Sequence, residues 1–247
     1  MPPRLQPIQR RSLSDAVFEQ LREQILQGER CPGSTLPAER ALGEALGVNR
    51  SAVREALRRL EQAGLVVVRQ GGASRVRDYR EAASLDLLAT LLVTPQGGFD
   101  VGVVRSILEM RGALGPDVAR CAAERGGAAC AASLEQAIGA MRAASGDLEA
   151  LQRLATAFWS HLVDGSDNVA YRLAFNALHA TYDRVRAVLA RAMEPELADP
   201  APYAAIASAV RSRDAARADA VARELLSRGA RGVLEALERA ASPDAAR

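Results

Sequence analysis

The chain has 247 residues, 49% of them apolar and only 4% aromatic, with a formal net charge of +2. That length suits two compact domains rather than one core, and an alanine-rich, aromatic-poor composition favours packed helices over a β-sandwich. Cys31, Cys121 and Cys130 have neither zinc-ligand spacing nor the even count of a disulfide framework, no apolar run nears the ~20 residues that cross a bilayer, and Met1 to Arg11 lack a signal peptide's apolar stretch; a soluble, cytoplasmic protein with no membrane partner is expected.

The charge is unevenly placed. All the basic residues are arginine, with 14 of them against nine acidic residues in the first 80 positions and 18 against 21 thereafter, giving +5 and −3. An anion-seeking surface is therefore expected in the first third.

From Ser14 to Gln27, Val17, Leu21, Ile25 and Leu26 recur at helical spacing, Ser14 and Asp15 can cap the start, and Gly28 marks the stop. Pro32-Gly33 is a turn signal, Ser34-Thr35-Leu36 is a short extended piece, and Pro37 opens a second helix to about Leu46. Gly47 breaks it, Val48 offers an apolar plug, and Asn49 caps a third helix through Gln62, with Val53, Leu57 and Leu60 on its inner face. Two short helices joined at a glycine make a helix-turn-helix. Its second member carries Arg50, Ser51 and Arg54 on the opening turns, where a recognition helix meets base edges and phosphates; Arg58 and Arg59 continue that basic face. Leu65 to Arg69 is β-branched, Gln70-Gly71-Gly72-Ala73 is a tight turn, and Ser74 to Arg77 resumes an extended pattern. A winged helix is predicted, with Gly71 and Gly72 at the wing tip letting the backbone approach a phosphate, and Arg69 and Arg75 supplying cations.

These residues carry a resemblance. Pro37-Ala38-Glu39-Arg40, Leu46-Gly47-Val48-Asn49-Arg50-Ser51, Val53-Arg54-Glu55-Ala56-Leu57 and Gly64-Leu65 before Gly71-Gly72 resemble the GntR family over residues 14 to 78. The resemblance implies operator contacts from Arg40, Asn49, Arg50, Ser51, Arg54 and Gly71. For any single arginine the alternative is a solvated helix face, and for the glycines a plain hairpin turn; the ordered set inside one winged-helix frame favours double-stranded DNA.

From residue 84 onward the pattern is helix after helix, with expected spans 84–93, 100–125, 128–144, 147–165, 168–194, 201–212 and 214–240. The predicted organisation is a mainly α chain: a winged helix-turn-helix over 1–78, a linker at 79–83, an antiparallel bundle of six to seven helices over 84–241, and a flexible tail at 242–247. Val103, Ile107-Leu108-Glu109 and Arg111 resemble a helix of the FadR subfamily, which implies an effector cavity inside the bundle. In many such relatives an Asp and three His hold a divalent metal; the matching positions here are Ala155, Trp159, Tyr203 and one near Leu225, so no metal or other cofactor is expected. Replacing those ligands makes the cavity apolar and favours an amphipathic or acyl-bearing effector. Ser84 to Leu88 and Gly165 to Tyr171 resemble the fatty-acid-responsive members, whose resemblance implies an acyl-CoA or fatty acid; a small organic acid bound without metal is the alternative. Trp159 and Tyr203 are candidate lining residues, with core packing as the plainer reading. Arg105 and Arg111 are candidates for a ligand carboxylate or phosphate, with a solvated face as the alternative. His161 and His179 read as surface or capping residues.

The function expected is a homodimeric, effector-responsive regulator, repressor or activator, on a pseudo-palindromic operator. No Gly-x-Ser-x-Gly elbow, P-loop, zinc-ligand set or dinucleotide fingerprint is present, and two histidines leave few general bases. An enzyme is therefore not expected; a helical adaptor whose winged helix binds protein is the remaining rival.

Overall fold

A computed structural model of the chain describes residues 12–68, 73–94, 98–183 and 185–241. It divides into two compact units between Leu87 and Leu88, and it is mainly helical with a winged helix-turn-helix first, as the sequence predicts.

In the first unit, α1 spans Leu13–Leu26, α2 Glu39–Leu46 and α3 Arg50–Gln62. Ser12 and Asp15 form a reciprocal capping box at the head of α1, which satisfies amide groups that the helix itself leaves unpaired. Gly47 ends α2 at φ 65°, a left-handed turn that a β-carbon would strain. Asn49 then caps α3 by accepting a hydrogen bond from the Ala52 amide at 2.8 Å. α1 contributes Val17, Phe18, Leu21 and Ile25 to one core with Val53, Ala56, Leu57 and Leu60 of α3. Strands β1, Val66–Val67, and β2, Arg75–Val76, pair antiparallel. The extended Ser34 to Leu36 piece joins them: the Leu36 amide donates to the Ser74 carbonyl at 2.7 Å, and the Val76 amide to the Ser34 carbonyl at 2.9 Å. The expected wing tip at Gly71 and Gly72, and Arg69 beside it, lie outside the described residues. Where a plain connector is expected at 79–83, a short helix α4 runs Tyr79–Ala82, capped by Asp78, and Leu85–Leu87 is a 3-10 turn.

The second unit begins with α5, Leu88–Leu91, followed by α6, Val101–Arg125, α7, Gly127–Ala143, and α8, Leu148–Gly165. The expected single helix over 168–194 is instead three: α9, Val169–Asp183, α10, Arg186–Ala192, and α11, Glu194–Leu197. α12, Ala201–Ser212, and α13, Ala215–Ala241, complete it. Beside the α9–α10 break the Gln152 amide donates to the Arg186 carbonyl at 3.1 Å. At the end of α10 the chain lies against bare backbone of α13, where a β-carbon at Gly232 would stand 2.3 Å from the Ala192 carbonyl oxygen. The core between α6, α7, α8, α12 and α13 is built around Phe158, fully buried, whose ring meets Tyr203 edge-on at 5.1 Å and Trp159 at 6.4 Å.

Truncating an aromatic ring at such a node costs roughly 3–5 kcal/mol. Phe158→Ala is accordingly expected to lower the unfolding free energy by that amount, read from the shift in denaturant midpoint; a shift equivalent to less than about 1 kcal/mol would show that the neighbouring rings close over the gap.

Candidate functional site

Two sites emerge, one in each unit. On α3 the buried positions Val53, Ala56, Leu57 and Leu60 face α1, which leaves Arg50, Ser51, Arg54 and Arg58 exposed on the opposite side. Arg40, on α2, is exposed as well, with Glu44 at 3.8 Å. Asn49 uses its side-chain oxygen for the cap, so its amide nitrogen is the part left to donate outward.

Glu39 organises this face, a role that the sequence reading misses. Its Oε2 accepts from Arg50 Nε at 2.9 Å and lies 3.5 Å from Arg54 Nη2. Hydrogen bonding from Arg50, with the charge of Arg54 behind it, holds the Glu39 carboxyl below the usual glutamate range. Exposed ion pairs contribute only about 0–1 kcal/mol to stability; the consequence here is orientation, since both forks are aimed from one carboxylate. That small contribution is present above the ordinary glutamate pKa and is lost as pH falls through the lowered one.

Arg59 does not continue the basic face. It pairs with Asp15 and lies over the Phe18 ring with its guanidinium carbon 4.3 Å from the centroid, so it ties α3 to α1. Arg75 is exposed on β2.

In the second unit, α6, α8, α9 and α11, with Leu226 of α13, line a largely apolar, partly open cavity of about 150 Å³. Of the four residues expected to meet an effector, Arg111 and Trp159 line it. Tyr203 is wholly buried in the core behind the lining, and Arg105 is exposed on α6 away from it; the spacing between Arg105 and Arg111 puts them on different faces. His179, read as a surface residue, stands at the cavity wall with Asp183 3.2 Å from its Nδ1.

The polar end of the cavity is Arg111, whose Nη1 donates to Glu196 Oε2 at 2.9 Å while Nη2 bonds Oε1. Glu196 is sealed at 1% side-chain exposure, whereas Arg111 keeps 24%. Burial pulls the Arg111 pKa down, and the charge and hydrogen bonds of Glu196 outweigh that, leaving it above its ordinary value and always charged. Burial, with the Glu196 charge nearby, pushes the Tyr203 phenol well up, so it stays neutral. Nothing local in the sequence marks Glu196, which sits 85 residues from its partner; the one trace is Gly229, where a β-carbon would stand 1.8 Å from Glu196 Oε2.

The positions matched to metal ligands do not fit a metal. Ala155, Trp159 and Leu225 offer no donor, and among the described residues no group of three or more His, Cys, Asp or Glu is placed to hold one.

Comparison with known proteins settles the lineage. The bacterial regulatory proteins of the gntR family match residues 13–76, and the FCD domain matches 106–228. The transcriptional regulator Mce2R of Mycobacterium tuberculosis is 45% identical over 222 residues, covering 90% of this chain and 92% of that one. The chain belongs to the GntR family. Its members and relatives are transcription regulators, not enzymes, and this GntR protein pairs the family's DNA-binding helix-turn-helix with an FCD effector-binding domain of FadR-like type. A fatty acid metabolism regulator of Shewanella amazonensis is 40% identical over 80 residues, 32% of this chain and 33% of that one. The solved structure of Lar, described as controlling the agr system of Listeria monocytogenes, has the same fold, with a TM-score of 0.51 at 18% identity over 94% of this chain and 99% of that one. No described helix of the GntR protein is long and apolar enough to cross a membrane.

The α3 face makes a graded set of expectations. Arg54→Ala is expected to weaken binding to all duplexes alike and to reduce the salt slope by about one, while Arg50→Ala costs about 1–3 kcal/mol of preference for the operator. Glu39→Gln removes a negative charge from the face and frees both forks, so it should lower the ratio of operator to scrambled-duplex affinity without weakening the scrambled-duplex affinity. Fluorescence anisotropy with a selected operator and its scrambled counterpart reads all three; unchanged binding in both arginine variants would contradict the assignment of α3.

Proposed function

We propose that this regulator binds a pseudo-palindromic operator in the cytoplasm as a homodimer, with Arg40, Asn49, Arg50, Ser51 and Arg54 meeting the duplex, and that an amphipathic metabolite in the FCD cavity alters that binding. The observation that carries the first half is the exposed row of Arg50, Ser51, Arg54 and Arg58 on a capped helix whose opposite side is fully committed to the core. A helix so placed has one free face, where Arg50, Arg54 and Arg58 outnumber the exposed Glu55 and Glu61. Two such helices related by a two-fold axis match an operator of the same symmetry. Gly71 and Gly72 extend the proposal to the wing on the strength of the resemblance alone.

For the second half, the support is the cavity itself. Apolar on most of its wall and charged at one end, it favours a molecule with an apolar body and a polar head. A space of about 150 Å³ is the size class that accepts a benzene ring in an apolar protein core. A compact amphiphile matches that volume, whereas a long acyl chain exceeds it. The adjoining cavity of about 80 Å³, which shares Ile107, Arg111 and Tyr182, gives such a chain its easiest direction.

Linkage supplies the test. If a ligand favours the arrangement that binds DNA poorly, the operator must weaken ligand binding by the same factor, typically about 5–150-fold. Operator affinity is to be measured with and without a series of short straight-chain acids, alcohols and amides. At least one is expected to shift it, with Trp159→Ala reducing that shift more than it reduces operator affinity itself, and a melting curve of the variant reporting any loss of packing. Operator affinity indifferent to the whole series would contradict an effector of this kind.

A further inference from the structure

The cavity's cation is already neutralised by the chain's own carboxylate, and this constrains the ligand's head group. Besides Tyr171 and Tyr182, whose phenols are pushed up and stay neutral, three of the lining residues carry or can carry charge: Arg111, Glu196 and His179. Arg111 presents two nitrogens of its fork to Glu196, and His179 is engaged by Asp183. Glu196 cannot step aside cheaply, because it is sealed, seated against the bare backbone of Gly229, and held on a helix of four residues. An entering carboxylate would therefore share a single guanidinium with a second, buried anion, and two like charges so close oppose each other.

A second feature points the same way. Gln152, 1% exposed on the cavity wall, donates its amide to the Arg186 carbonyl at 3.1 Å, and its Oε1 has no hydrogen-bond partner. A buried acceptor without a partner is costly, and a ligand head that brings a donor within its reach relieves that cost. An ionised carboxylate has none to give, whereas an alcohol or a primary amide does. Trp159 Nε1, on another lining residue, is likewise buried and without a partner.

We infer that the FCD cavity of this protein selects an uncharged polar head, an amide or hydroxyl on a short apolar body, and discriminates against the corresponding carboxylate. The inference rests on reading the cavity as the effector site. Glu196 and Gln152 are then the specificity-determining residues, and Gly229 is a positioning residue that makes room for Glu196.

Hexanamide and hexanoate share size and shape and differ in charge and in donor capacity, and Trp159 is the chain's one tryptophan, so its fluorescence reports occupancy of the full-length protein directly. Hexanamide is expected to bind at least tenfold more tightly than hexanoate at neutral pH. Glu196→Gln should cut that ratio at least tenfold by admitting the acid, and Gln152→Leu, which keeps the volume and removes the acceptor, should cut it by weakening the amide. Equal or tighter binding of hexanoate by the unaltered protein overturns the inference, as does a ratio unmoved in the folded variants. Absence of a saturable response to either compound overturns instead the reading of this cavity as the effector site.

Discussion

A guanidinium enclosed in an apolar helical bundle has to be neutralised where it sits, and much of the second unit follows from how this chain does so. Removing one partner of a buried ion pair costs roughly 3–5 kcal/mol, more than most single contacts can offset. Arg111 on α6 therefore requires Glu196 close by. Glu196 reaches it only because α9 stops at Asp183 and the chain turns twice through α10 and α11. That path in turn needs glycine at 229 and 232, where α13 accepts a carboxylate and a carbonyl at distances no β-carbon would allow. The cavity is the space left between this clamp and the Phe158 cluster.

The same logic recurs at lower stakes on the DNA-binding side. Glu39 also serves two arginines, but in water, where the pairing has little energetic weight and chiefly sets direction. A face of this kind holds its cations in readiness without burying them. Phosphates can then compete for Arg50 and Arg54 at small cost, whereas Arg111 is held by a carboxylate that is itself buried.

Most of the helices were legible because their signals are local. Apolar spacing, Asn49 as a cap and Gly47 as a stop place α2 and α3 to within two residues, and the long helices of the second unit begin and end at Asp, Gly and Pro signals that lie beside them in the chain. What the sequence hides is what depends on distant partners. The interruption after Asp183 falls in an alanine- and arginine-rich stretch with no breaker before Pro195, and the contact beside it, from Gln152 to the Arg186 carbonyl, comes from 34 residues away. Arg59 follows Arg58 in sequence, yet one step of the helix turns it about 100° towards α1, and its partner there, Asp15, lies 44 residues earlier. Trp159 was legible as a lining residue through its matched position; Glu196 and Glu39 were not, since acidic residues on helices are commonplace and their arginines lie 85 and 11 positions away. Arg105 shows the converse, a residue of the right chemistry on the wrong face.

The central claim is that the first unit holds duplex DNA through the phosphate-facing cations of α3 and the strands beside it. Its most direct test is the affinity of the unaltered protein for a duplex across a range of salt concentrations. The account predicts a steep fall, with a log–log slope of roughly 0.9 for each phosphate neutralised and a total of several. A slope near zero, or no binding even at low ionic strength, would contradict it.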